Sequence, residues 1–127
     1  MEELRLKLIS NGNSVLEGNS KYRLLNNKYI FKVNNSNYHL DVNNKVLIKK
    51  DIDTTITIDI ANKNMGVELV NTPGKLDIEL FESSFEFNNN KIIINYSFDL
   101  EGLTNNTIEI ILYWHALILC YNHYVLI

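Results

Sequence analysis

Apolar and polar residues alternate in short runs that asparagine pairs interrupt again and again. Leu4, Leu6 and Leu8 alternate with Glu3, Arg5 and Lys7, and the same period returns at Ile56, Ile58, Ile60 and at Leu76, Ile78, Leu80. A period of two belongs to a β-strand, whose successive side chains leave on opposite faces. The interruptions fall at Asn26 and Asn27, Asn34 and Asn35, Asn43 and Asn44, Asn88 to Asn90, and Asn105 and Asn106. Asn is among the residues that tolerate the positive φ of tight hairpin turns at least cost. An almost wholly antiparallel β chain is the reading.

The chain has 127 residues, enough for one hydrophobic core and too few for two, so one domain over 1–127 is expected. A net charge of -3 gives no strong positive field to hold a phosphate backbone, so nucleic acid is not an expected partner. The basic cluster Lys45, Lys49, Lys50 reads as a solvated strand face, with Lys45 and Lys49 outward. One cysteine, Cys120, excludes an internal disulfide framework and fits a reducing compartment, so a cytoplasmic location is expected. The start MEELRLKL places acids directly after Met1 and does not read as a secretory signal.

Strands are expected near 3 to 9, 14 to 25 with a bend around Gly18, 28 to 33, 37 to 42, 45 to 50, 54 to 60, 66 to 71, 75 to 87, 91 to 100 and 106 to 114. Short connections pair sequence neighbours as hairpins, which makes a meander. Thr72-Pro73-Gly74-Lys75 reads as a type II turn. Ala61 to Met65 is the one place where a helical turn fits, and no internal repeat is evident.

Sorted by parity, one face is free of charge. It takes Leu4, Leu6, Leu8, Tyr22, Tyr29, Phe31, Tyr38, Leu40, Val46, Ile48, Ile56, Ile58, Leu76, Ile78, Phe85, Phe87, Ile92, Ile94, Tyr96, Phe98, Ile108, Ile110, Leu112 and Trp114, among others. The other face takes Arg5, Lys7, Lys28, Lys32, His39, Asp41, Glu79, Asn95 and their like. So many strands with one dry face must curl into a barrel or stack as a sandwich. An up-and-down antiparallel β-barrel of about 8–10 strands is expected, because closure also removes exposed edges.

The stretch from Thr72-Pro73-Gly74 through Leu76-Asp77-Ile78-Glu79-Leu80, Ile92-Ile93-Ile94-Asn95-Tyr96-Ser97-Phe98-Asp99-Leu100, Gly102 and Asn106-Thr107-Ile108-Glu109-Ile110 resembles the YwiB-like proteins. These are small β-barrels of low-GC Gram-positive bacteria whose molecular function is not established. The resemblance covers about a third of the chain closely and ends near Tyr113. The Thr that the family carries near the end of the strand after the glycine turn is Glu82 here. The resemblance implies a calycin-like, lipocalin-related barrel and transfers no catalytic residue.

Residues that usually do chemistry are scattered. His39 and Asp41 share the outward face of one strand, yet the sequence places no Ser or Cys nucleophile beside them. His115 and His123 stand roughly 26 Å apart on an extended strand, and Cys120 points away, so no metal site is expected from these three. Glu82, Glu86 and Asp99 fall on outward or turn positions, where carboxylates are ordinarily solvated. No cofactor is expected.

The last 18 residues, IILYWHALILCYNHYVLI, contain no Asp, Glu, Lys or Arg. His115, Asn122 and His123 make a membrane span costly, so the tail 115–127 is expected to close the barrel or to meet a second copy of the chain. A non-catalytic binding or interaction module is the functional expectation. The alternative is an intracellular carrier of a small apolar ligand, its cavity lined by Tyr29, Phe31, Tyr38, Tyr96, Phe98 and Trp114.

Overall fold

The computed structural model describes residues 3–99 and 106–114. Eleven strands follow in order: β1 Glu3–Ser10, β2 Asn13–Leu25, β3 Lys28–Val33, β4 Ser36–Asp41, β5 Val46–Lys50, β6 Thr54–Asp59, β7 Asn64–Leu69, β8 Thr72–Glu79, β9 Glu82–Asn88, β10 Lys91–Phe98 and β11 Asn106–Trp114. Every ladder is antiparallel, in the order β8-β7-β6-β5-β4-β3-β2-β1-β11-β10-β9. The sheet curls into a half-barrel whose two edge strands, β8 and β9, are consecutive in sequence. Only Leu80 and Phe81 separate them: the Leu80 N–H donates to the Lys63 carbonyl on one side and the Phe81 N–H to the Ser97 carbonyl on the other. The long strand expected over 75 to 87 is thus two strands, and it changes partners at Leu80 and Phe81.

Asparagine sets the turns. Asn26 and Asn27 have φ of 52° and 64°, Asn34 and Asn35 have 49° and 69°, and Asn11-Gly12 has 51° and 84°. Paired positive φ values are what two-residue hairpins need to match the right-handed twist of their strands. Two longer turns share the sequence Asp-x-x-Asn-Lys, at 41–45 and 59–63. In each, the Asp side chain accepts from the Asn backbone N–H (3.1 Å at Asn44, 3.2 Å at Asn62) and from its amide Nδ2 (2.8 Å in both). Lys45 and Lys63 then take φ of 57° and 53°. This duplicated device is an internal repeat that the strand pattern alone did not reveal, and the second copy overlaps Ala61 to Met65, the one place where a helical turn could fit.

The turn at Pro73-Gly74 is displaced from its expected place. β7 and β8 reverse at Val70 and Asn71, since Leu69 faces Thr72, while Glu68 faces Lys75. Pro73 and Gly74 are therefore extra residues in β8, with Gly74 at a φ of 102°.

Both halves of the curled sheet feed one core. Leu4, Leu6, Leu40, Ile92, Ile94 and Leu112 are fully buried, and Phe31, Tyr38, Leu47, Ile58, Leu80, Ile110 and Trp114 are nearly so. The parity expected from the sequence holds in β1, β3, β4, β6, β10 and β11, and it fails in β5. There Leu47, not Val46 or Ile48, joins the core, because it stands opposite Leu40 on β4 and Ile58 on β6. Val46-Leu47-Ile48 is apolar at both parities, so register with the neighbours decided the face. Lys49 consequently points inward, against the expectation that it faces solvent.

Candidate functional site

Inward-facing polar groups gather around Lys49. It stands opposite Tyr38 on β4 and Ile56 on β6, and its ammonium lies 3.7 Å from the Asp51 carboxylate. Asp51 also accepts a hydrogen bond from the Ser36 hydroxyl, the buried polar side chain at the start of β4. Lys49 and Asp51 keep about a third of their side-chain surface in solvent, at 30% and 33%, so the cluster sits where the interior meets water. This geometry satisfies both charges without full desolvation, which is the condition under which an ion pair costs little.

The Tyr38 hydroxyl completes the group. It is buried and, among the described residues, has only the Ser36 hydroxyl near it, whose proton is committed to Asp51. Burial pushes the phenol up from its ordinary range, the Asp51 charge pushes further, and Ser36 works against both. Tyr96 is pushed up by burial and then by Tyr38. A buried hydroxyl with no well-formed hydrogen bond among the described residues is a net cost, so Tyr38→Phe is expected to leave stability unchanged or raise it by up to about 1 kcal/mol. A loss larger than that in thermal or denaturant unfolding would show that the hydroxyl has a partner.

The six aromatics expected to line a single cavity are all inward, and they form separate clusters. Tyr29 packs on Trp114 with ring centroids 5.1 Å apart, and Tyr22 joins them at 5.5 Å and 6.3 Å. Phe31 stacks on Tyr38 at 5.1 Å, nearly parallel, and Tyr96 stacks on Phe98 at 6.2 Å. Phe31, Tyr38, Tyr96 and Trp114 are buried, whereas Tyr29 and Phe98 are half-buried. The rings therefore fill space against one another and against the aliphatic core, each pair gaining about 0.5–1.5 kcal/mol beyond area burial. Trp114 resembles Tyr38 in one respect: among the described residues its buried Nε1 has no hydrogen-bond partner.

His39 occupies the outer surface, as expected, between Ile30 and Ile48 on the flanking strands. With Asp41 it lines an open groove of about 580 Å³ that the two Asp-x-x-Asn-Lys turns frame, contributing Asn44, Lys45, Asp59 and Asn62. The pair does not make a base and its orienter. Asp41 is held by Asn44, and those hydrogen bonds keep its carboxyl below the usual range. Partial burial, then Lys50 and Lys28, lowers His39 below its ordinary 6.5. A depressed His binds fewer protons folded than unfolded, so its contribution to stability is present above pH 6.5 and is lost as pH falls through the folded-state pKa. An NMR titration of the His39 ring is expected to give a midpoint under 6.5; a midpoint above it would mean that Asp41 or another carboxylate pairs with the ring.

Glu82, Glu86 and Asp99 are exposed, as expected. Among the described residues no three His, Cys, Asp or Glu side chains are placed to hold a metal ion. His115, Cys120, His123 and the whole tail 115–127 lie outside the described residues. The described residues contain no helix long and apolar enough to cross a membrane. Lys49, Ser36 and Asp51 were not among the expected site residues.

Comparison with known proteins adds one likeness. No family model matches the chain, and no curated protein matches it. Among solved structures it is similar to the crystal structure of ywiB protein from Bacillus subtilis, over 89% of this chain and 90% of that chain, with 11% sequence identity and a TM-score of 0.41. So low an identity transfers no residue role, and the chemistry considered below is that of this chain's own side chains.

Proposed function

We propose that this chain is a non-catalytic binding and interaction module that works through the outside of a filled, lipocalin-like up-and-down barrel. The observation that carries the reading is the closure of the interior. Leu4, Leu6, Tyr38, Leu40, Leu47, Ile92, Ile94 and Leu112 are all at most 1% exposed, and they come from both halves of the curled sheet. Every pair of sequence neighbours except β8 and β9 is hydrogen-bonded, and β1 pairs with β11, a meander order that supports the lipocalin-like comparison. The single cysteine of the sequence supports a cytoplasmic setting. His39 without a carboxylate partner, in a groove whose aspartates are spent on turns, supports binding over catalysis.

A carrier is the second reading, and one observation favours it: Tyr38 and Trp114 each bury a donor with no well-formed hydrogen bond among the described residues. Native mass spectrometry of protein purified from its own source organism separates the two readings. The module is expected to appear at the mass of one or two bare chains with no added small molecule, and fatty-acid-like probes are expected to leave Trp114 fluorescence unchanged. A reproducible co-purifying small molecule, displaced by such probes, would replace the module with the carrier.

A further inference from the structure

We propose that the free edge of β8 pairs with the same edge of a second copy of this chain, antiparallel and centred on Leu76. The backbone supplies the first part of the argument. The Leu80 N–H is used by the carbonyl of Lys63, the residue just before β7, and Ile78 and Leu76, opposite Met65 and Val67, share its orientation because strand groups alternate sides. The Phe81 N–H points the other way, to Ser97. Lys75, Asp77 and Glu79 therefore direct their N–H and C=O groups away from β7, and among the described residues no strand lies on that side.

The side chains supply the second part. In a two-fold antiparallel pair centred on Leu76, Lys75 faces Asp77 of the other copy and Asp77 faces its Lys75. These are the residues whose backbone groups are free, so both hydrogen bonding and charge are complementary in the same register. Centring on Asp77 instead sets two aspartates opposite each other, and centring on Ile78 sets Asp77 against Glu79. The edge carries opposite charges in a self-complementary order, with Lys75 and Asp77 3.7 Å apart and both well exposed.

Apolar surface supplies the third. Leu76 is 58% exposed although it lies on the inward face, and it stands opposite its own copy at the close, non-hydrogen-bonded position. Leu69 and Val70 beside it are also exposed, and an open cleft of about 350 Å³ runs between Leu69, Pro73 and Leu76. Gly74, across from Ile78 of the other copy, has nothing within 4 Å of where a Cβ would stand, so the edge is sterically open there.

Sedimentation velocity over a concentration series tests the interface on the full chain. The parent is expected to show a concentration-dependent dimer, K75D and D77K each to lose it, and the K75D/D77K double variant to regain it. Far-UV circular dichroism confirms that each variant keeps its strands. In a C120S background, L76C is expected to form a covalent dimer on oxidation and D77C is not. A parent that stays monomeric throughout, single charge reversals that dimerise like the parent, or a double reversal that remains monomeric would each overturn the proposal.

Discussion

Leu6→Ala is expected to destabilise the fold by about 2–5 kcal/mol, the range for emptying a leucine site in a packed core. Leu6 is fully buried, faces Leu112 on β11, and faces Gly18 on β2, which has no side chain to move into the space. The cavity would therefore stay open, which puts the cost toward the upper part of that range. A fall of about 10 °C or more in melting temperature should accompany it. Ile52→Ala is the matched control: Ile52 is 96% exposed, and its loss should cost no more than about 0.5 kcal/mol. Equal effects from the two substitutions would mean that the barrel interior is loosely filled.

Gly18→Ala is expected to cost about 1–3 kcal/mol, although it adds a single methyl group. A Cβ at Gly18 would stand 2.6 Å from Cγ1 of Val33 and 3.9 Å from its Cβ. Val33 is buried and its branched side chain is stiff at χ1, so it has little freedom to turn aside. Gly18 lies inside the β1 ladder, which β2 joins over Asn13 to Lys21, a few residues before β2 starts to pair with β3 at Tyr22. Val33→Ala removes the obstructing methyls, so the double variant should lose less than the sum of the singles by 0.5 kcal/mol or more, which chemical denaturation resolves. Strict additivity would show that Gly18 and Val33 do not touch.

Much of this architecture is legible in the sequence because alternation and turn chemistry agree. Asn26-Asn27 and Asn34-Asn35 mark hairpins through the one property that matters there, low-cost positive φ, and Leu4, Leu6, Ile92, Ile94 and Leu112 declare their faces by parity. Val46-Leu47-Ile48-Lys49-Lys50 declares nothing, since its apolar residues are consecutive. The duplicated Asp-x-x-Asn-Lys turn holds the missing signal. In both copies the residue before Asp (Leu40, Ile58) and the second residue after Lys (Leu47, Met65) face one another and are buried. Read that way, the repeat would have put Leu47 inside and Lys49 with it. The polar cluster of Ser36, Tyr38, Lys49 and Asp51 was hidden for the same reason, because its members converge only once β4 and β5 are in register. The split of the aromatics into three clusters depends on how far the sheet curls, which local pattern does not encode.

The central claim is that the inward face closes on itself, with the end of β11 inside. Trp114 is the chain's single tryptophan, it is 3% exposed, and it packs on Tyr22 and Tyr29, so its emission reports on that closure alone. Iodide quenching of the folded protein is the direct measurement. A blue-shifted emission that iodide barely quenches, and that becomes red-shifted and fully quenchable in denaturant, is the expected result. Emission of the folded protein that iodide quenches as freely as it does the unfolded chain would contradict the closed interior.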